Sequence, residues 1–324
     1  MTGEGLLQLS WRPYRFVLPR SLITSRGALV ERSGWLLRLQ APHGAMGWGE
    51  AAAPLLTPAP PALAAALAAL PAALSREALE QEIQQLPVPL ACAVGMALAE
   101  LDGAGGCWQR APRSAWLLPA GDAALAELNR VLASEAGSEF PVTFKWKVAA
   151  LPDADERAVL EALLQRLPES ARLRLDANGG WDLPTAHRWA DRLADEPRLQ
   201  WLEQPLAPLA LAELARLGAR LPVALDESLP HLLPQQRDAW PGWLVRRPLQ
   251  EGDPRPLLQQ LQAGLPRQMI STAFETGIGL RFVEHLAALH GQGPTPAAPG
   301  LAPGWQPDGP LFALDPARVW EAAA

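Results

Sequence analysis

Lysine is nearly missing from this chain. Of its 28 basic side chains only Lys145 and Lys147 are lysines, and all the others are arginines. Cysteine is almost as scarce. Cys92 and Cys107 lie in unrelated local settings without metal-type spacing, which excludes a disulfide framework or a thiolate metal site and leaves two buried free thiols as the expectation. No long apolar run goes unbroken. The longest, Ala51 to Leu74, contains Pro54, Pro58, Pro60, Pro61 and Pro71, so it cannot form a continuous membrane-spanning helix and suits a loop leading into a surface helix. Long polar tracts are also lacking. With 49% hydrophobic and 19% charged residues, the bulk of the chain is expected to fold. The net charge of −6, with no cluster of arginine and aromatic residues, argues against a nucleic-acid partner. Met1 to Ser10 carries Glu4 and lacks a basic start followed by an apolar core and a cleavage site, so no secretory signal is expected and a cytoplasmic location is the default.

The two lysines sit in one short run, Lys145-Trp146-Lys147. A guanidinium stays charged at any workable pH, whereas an amine can lose its proton when its surroundings favour the neutral form. Where charge alone suffices the sequence uses arginine, which makes Lys145 and Lys147 candidates for proton chemistry. On this count alone, two leftover lysines on a solvated strand would serve as well.

At 324 residues the chain suits one barrel or two ordinary domains. Its first hundred or so residues read as an α+β unit. Strand-like stretches cover Leu7 to Val17 and Gly34 to Gln40, a hairpin-like tip lies around Pro42 to Gly44, and a helix is expected from Pro89 to Leu101. The Gly and Pro residues between Gly103 and Pro112 mark a boundary. From about Ser114 the pattern changes to short apolar runs separated by amphipathic helical stretches. The runs are Thr143–Val148, Arg172–Asp176, Gln200–Glu203, Val223–Asp226, Trp243–Arg247 and Gln268–Ser271. Their spacing, roughly 20 to 30 residues, is that of one strand, one helix and two turns, which predicts a closed parallel α/β barrel.

Alternate side chains of a strand share a face, so Thr143, Lys145 and Lys147 point one way while Phe144, Trp146 and Val148 point the other. The apolar face can pack on outer helices. The lysines then project into the barrel near its C-terminal mouth, where barrel enzymes keep their sites. Each of the next three strands finishes on an acid: Asp176, Glu203 and Asp226. Three converging carboxylates would repel severely without a hard cation among them, and an all-oxygen set is what Mg²⁺ prefers, with Mn²⁺ as an alternative. Singly, Asp176 serves equally well as a turn former, Glu203 as a helix-start acid and Asp226 as a cap. Together, at one structural period and after two lone lysines, they point to a metal-assisted proton transfer.

Lys-Trp-Lys at 145–147, Leu-Asp-Ala-Asn-Gly-Gly-Trp at 175–181, Glu-Gln-Pro at 203–205 and Asp-Glu-Ser at 226–228 resemble, in this order, the muconate-cycloisomerase subgroup of the enolase superfamily. Within that subgroup the chain is most similar to the o-succinylbenzoate synthase family. Arg12–Phe16, Gly34–Leu39 and Gly47–Ala52 resemble the capping domain of that family, and Ser271–Leu280 its late barrel strand and loop. The resemblance implies a modified (β/α)8 barrel of (β/α)7β type over residues 111–294, an N-terminal α+β capping domain over 1–110, and a C-terminal tail, 295–324, that packs on the cap. It also implies a small carboxylate substrate and Mg²⁺-dependent syn dehydration of 2-succinyl-6-hydroxy-2,4-cyclohexadiene-1-carboxylate to o-succinylbenzoate, in menaquinone or phylloquinone biosynthesis. Carried over to this sequence, Lys147 removes the α proton and returns it to the departing hydroxyl. Asp176, Glu203 and Asp226 hold the metal. Lys145 lowers the proton affinity of Lys147 by like-charge repulsion and can touch the carboxylate, while Asn178 and Glu227 support the ligands. Apart from the resemblance, Arg174 shares the strand face of Asp176 and is a candidate for meeting a substrate anion, although a structural ion pair would explain it equally well, and Ser271 and Thr272 are further candidates for substrate contact.

The chain departs from the family pattern at Arg247, which stands where relatives carry a lysine. A guanidinium there supplies charge but no acid–base partner. Racemases and epimerases need a proton-transferring group on each side of the α-carbon, so Arg247 counts against them, while a one-base elimination survives. A dipeptide epimerase, an N-acylamino acid racemase or a cycloisomerase is the nearest rival, and a catalytically retired metal-binding protein is the rival from another class. His43, His187, His231, His285 and His290 show no mutual spacing for a metal or triad and are expected at the surface or at helix ends.

Overall fold

The computed structural model describes residues 5–56, 60–103, 108–136 and 141–323. Cys107 and part of the expected boundary fall outside them.

The N-terminal unit is built on a sheet of order β3-β2-β1-β4, comprising β1 (Leu7–Thr24), β2 (Gly27–Gln40), β3 (Met46–Ala52) and β4 (Ala73–Leu74), with antiparallel pairing throughout. The first two strands run past the predicted Val17 and start before Gly34, because the chain turns tightly at Ser25–Gly27, where Gly27 takes φ +128°. The expected tip at 42–44 is present, with Gly44 at φ +90° and its amide bonded to the Ala41 carbonyl at 2.9 Å. Helices α1 (Pro61–Ala69), α2 (Arg76–Glu82) and α3 (Val88–Leu101) follow. Apolar on every side, α3 is buried along most of its length, as a helix without a polar face must be. It lies against β3, where a Cβ on Gly47 or Gly49 would come within 2.0 or 1.9 Å of the carbonyl oxygens of Ala97 or Ala93. Only glycine permits that approach.

The barrel strands are β5 (Trp116–Leu118), β6 (Thr143–Lys147), β7 (Arg172–Asp176), β8 (Leu199–Glu203), β9 (Val223–Leu225), β10 (Trp243–Arg246) and β11 (Gln268–Ile270), all parallel and in sequential order. Between them run α4 (Ala123–Ser134), α5 (Asp153–Arg166), α6 (Leu183–Leu193), α7 (Leu211–Gly218), α8 (Pro234–Asp238) and α9 (Arg255–Gln262), and α10 (Gly277–Gly291) follows the last strand. The outward faces of β6 and β7, with Phe144, Trp146, Leu173 and Leu175, pack with α5 and α6 into one apolar core. Trp146 is wholly buried there. Truncating it to alanine would cost about 3–5 kcal/mol.

Closure comes from a segment that the sequence reading assigned to the tail. Ser271 bridges Gly300 in parallel, the Gly300 amide donates to the Ile270 carbonyl at 2.8 Å, and the Ala115 amide donates to the Pro299 carbonyl at 2.8 Å. Residues 299–301 thus complete the (β/α)7β ring between β11 and β5. Rich in Pro and Gly, the stretch carries no alternation by which it could be read as a strand. The chain then returns to the cap through α11 (Pro316–Ala322). Trp320 meets Trp48 edge-on at 5.7 Å, and its carbonyl accepts from Arg12 at 2.7 Å.

Candidate active site

Parallel pairing sets Lys147 beside Asp176 and Asp176 beside Glu203. With the apolar neighbours on these strands turned outward, the charged side chains have only the barrel mouth to occupy. There the Lys147 Nζ lies 2.6 Å from Asp176 Oδ2 and 2.9 Å from Asn178 Oδ1. Lys145 Nζ bridges Asp176 Oδ2 at 2.7 Å and Glu203 Oε1 at 2.6 Å. Arg247 lies just past the end of β10. Its Nε and Nη2 grip Asp226 at 3.1 and 2.6 Å, and its Nη1 donates to the Thr272 carbonyl at 2.6 Å. Asn178 reaches both ways, accepting from Lys147 and donating to Glu227 Oε1 at 2.9 Å.

Two non-glycine residues beside these acids take left-handed backbone, Asn178 at φ +46° and Gln204 at φ +39°. Such a conformation costs of order 1–3 kcal/mol, least for Asn, and persists where surrounding bonds hold it. For Asn178 one of these is its amide, which donates to Asp176 Oδ1 at 3.0 Å.

Burial favours the neutral acid at every carboxylate here, and the neighbours decide which acids resist. Lys145 and Lys147 outweigh burial at Asp176 and hold it well below the usual carboxylate range. Arg247 does the same for Asp226. Glu203 is pushed up to about 8 by burial and the Asp176 charge, and Glu227 to about 7 by burial and Asp226. At Lys145, burial opposes the charge but the Asp176 and Glu203 carboxylates prevail, so its affinity for the proton is raised.

The donor set fits a divalent ion. Among the described residues, Asp176, Glu203 and Asp226 are all buried and present carboxylate oxygens within 4.8 Å of one another. Glu203 Oε2 is buried without a hydrogen-bond partner among the described residues. An oxygen so placed costs free energy unless a cation meets it.

Above the acids opens a cleft of about 550 Å³, lined by Lys147, Asn178, Asp226, Glu227 and Arg247 from the barrel and by Leu22, Arg26, Leu29, Leu55 and Leu56 from the cap. Arg26 approaches Glu227 at 3.9 Å. A smaller cavity beside it is lined by Lys145, Lys147, Ser271 and Thr272. The Ser271 hydroxyl donates to the Gly300 carbonyl at 3.3 Å, and that of Thr272 bonds Glu275. Arg174 lines neither space. Its guanidinium lies 4.1 Å from the centre of the Trp201 ring beneath the mouth, with Nε on Gln200 at 2.7 Å, so neither substrate contact nor the alternative ion pair describes its surroundings. His290 stands in the last turn of α10, as expected of a helix end, but both it and the mid-helix His285 are buried because the helix is enclosed on nearly every side. Sequence reasoning missed the cap residues of the cleft and the fully engaged Gln204. The signals for Gln204 were its position directly after a strand-end acid and its place in the Glu-Gln-Pro run at 203–205.

Residues 125–237 match the family model described as enolase C-terminal domain-like. Over 303 residues the chain is 35% identical to an o-succinylbenzoate synthase from Thermosynechococcus vestitus, covering 86% of this chain and 88% of that one. This chain belongs to the o-succinylbenzoate synthase family. It is accordingly an enzyme, a hydro-lyase of the enolase superfamily. Another o-succinylbenzoate synthase, from Thermobifida fusca, is 36% identical over 54% of this chain and 55% of its own length. A crystal structure of the Thermosynechococcus elongatus enzyme, with magnesium in its active site, superposes with a TM-score of 0.78 at 31% identity, covering 97% of this chain and 99% of that one. An L-Ala-D/L-Glu epimerase from Bacillus subtilis superposes at 0.75 with 21% identity over 94% of this chain and 92% of that one, a likeness of fold.

Proposed function

We propose that this chain dehydrates 2-succinyl-6-hydroxy-2,4-cyclohexadiene-1-carboxylate to o-succinylbenzoate, with Lys147 as the single acid–base group, Mg²⁺ as the resident ion and a place in menaquinone or phylloquinone synthesis in the cytoplasm. The observation that carries the reading is the position of Lys147. Its amine borders both the cleft and the smaller cavity and lies beside the buried acids.

Asp176, Glu203 and Asp226 would hold the ion, which supplies electrostatic stabilisation to a carboxylate gaining negative charge. The neutral Lys147 amine takes the proton from the ring carbon bearing the carboxylate. The electron pair left behind is shared with that carboxylate and then re-forms a ring double bond as the carbon–oxygen bond to the hydroxyl breaks. Lys147, now an ammonium, gives its proton to the leaving oxygen, water departs and the ring becomes aromatic. Removal and return use one amine, so both occur on one face. Asn178 orients that amine, and Glu227 orients Asn178. Lys145 and Arg247 supply fixed positive charge, with Ser271 and Thr272 at the wall.

Arg247 speaks against the epimerase alternative. A guanidinium locked onto Asp226 and the Thr272 carbonyl cannot shuttle a proton on the opposite face. A spectrophotometric dehydration assay with and without EDTA tests the proposal: turnover that EDTA abolishes is expected. Rapid α-deuteration of dipeptides in deuterium oxide, with no dehydration, would replace it by the epimerase reading. Lys147→Ala is expected to lower turnover by up to about 10⁴-fold, the upper range for a general base, while divalent-ion binding survives. Undiminished activity would show that the base lies elsewhere.

A further inference from the structure

Carboxylates that share one ion must keep a fixed spacing although they sit on separate strands and repel one another. The sheet ladder accomplishes this for Asp176 and Glu203, which are register partners. It does not reach Asp226. Strand β9 ends at Leu225, and its last pair with β8 is Glu203↔Ala224, so the third acid lies beyond the paired backbone.

Gln204 spans that gap. Its side-chain Oε1 accepts from the backbone amides of Asp226 at 3.1 Å and Ser228 at 3.0 Å, and its Nε2 donates to the Leu206 carbonyl at 2.9 Å and the Ser228 hydroxyl at 2.8 Å. Its own amide donates to the Ala224 carbonyl at 2.8 Å, and its carbonyl accepts from the Gly179 amide at 2.7 Å. One residue therefore ties together the ends of the three strands that carry Asp176, Glu203 and Asp226. It is completely buried, and it holds φ +39°, a conformation in which glycine would be cheaper but would make none of the four side-chain bonds.

We infer that Gln204 is a positioning residue for the ligand set: its carboxamide fixes Asp226 against Glu203 and Asp176, and so sets the affinity of the site for a divalent ion. The inference rests on the reading of these acids as metal ligands. No isosteric replacement keeps the arrangement. Glutamate would retain the acceptor for the two amides but turn an oxygen toward the Leu206 carbonyl, and methionine would retain only the length.

The test is calorimetric titration of Mn²⁺ into the full chain without substrate, alongside the thermal midpoint of the metal-free protein. Gln204→Met is expected to bind Mn²⁺ at least about tenfold more weakly, the scale on which removal of an outer support of a metal ligand is felt. Gln204→Gly, which relieves the backbone, should weaken binding as much. Should the first two variants fail to fold, Ser228→Ala, which removes one of the four bonds, should still show about threefold weaker binding, the scale of one lost hydrogen bond. A lowered thermal midpoint with unchanged Mn²⁺ affinity would overturn the positioning role and leave Gln204 merely structural, and unchanged affinity in Ser228→Ala would do the same. An unsubstituted protein that takes up no Mn²⁺ would instead remove the metal reading itself, a separate failure.

Discussion

Two completely buried glutamates, Glu50 at the cap–barrel junction and Glu203 at the barrel mouth, have opposite surroundings. Both Glu50 oxygens are engaged. Tyr14 donates to Oε1 at 2.6 Å, while the Thr276 hydroxyl at 2.6 Å and the amides of Thr276 and Gly279 at 3.0 Å donate to Oε2. The carboxylate thus closes the N-terminus of α10 from the neighbouring domain, where its charge also meets the favourable end of the helix dipole. Glu203 has Lys145 on one oxygen and no hydrogen-bond partner on the other, with the Asp176 carboxylate next to it on the adjacent strand. A buried acid with every lone pair satisfied holds structure together. One left short, among other acids, marks where a cation is meant to enter.

Glutamine substitution separates the two cases, and the larger effect belongs to Glu203. Glu203→Gln removes a proposed ligand but keeps the neutral form that burial and Asp176 favour at this position. Divalent-ion affinity and turnover should fall by more than about 100-fold, beyond what loss of an outer support costs, while the metal-free protein melts no lower than the parent. A large drop in the melting temperature would mean that Glu203 is structural too, and the contrast would collapse. Glu50→Gln should do the reverse. Either orientation of the new amide turns an NH₂ toward groups that themselves donate, at a cost of about 1–3 kcal/mol, read by urea denaturation. Its Mn²⁺ affinity, measured by titration, should be unchanged.

The same contrast separates what could be read in the sequence from what could not. Lys145, Lys147 and the strand-end acids were legible because a strand's alternation and the βα period fix both their faces and their depth in the barrel. Glu50 was not, since its donors Tyr14, Thr276 and Gly279 come from both ends of the chain and no local pattern links them. The closing segment at 299–301 was hidden for a related reason. It pairs through its backbone, and Pro299-Gly300-Leu301 within a Pro- and Gly-rich stretch shows no period. Arg174 shows the limit of face assignment. Sharing the inward face with Asp176 put it inside the barrel, but one layer too deep to reach the cleft, against Trp201.

Lack of a partner does not by itself mark a site, and His290 offers the smallest and most specific check. Among the described residues its Nε2 is buried and unbonded like Glu203 Oε2, yet the residue lines neither cavity. A neutral imidazole needs no counter-ion, whereas a buried acid stays neutral only by holding a proton that a cation can displace. Burial and then the Arg174 charge hold His290 down to about 4, below the ordinary value of about 6.5. Between those values the unfolded chain binds a proton that the folded chain refuses. The contribution of His290 to stability is therefore complete above pH 6.5, declines as the pH falls toward 4, and changes no further below that. His290→Leu should flatten this part of the profile, so that the parent loses about 1–2 kcal/mol more than the variant between pH 7 and pH 5 in denaturant titrations at the two pH values. Identical slopes would mean that His290 finds a partner or a proton in the folded state, and that an unbonded polar atom at the barrel floor asks for a ligand after all.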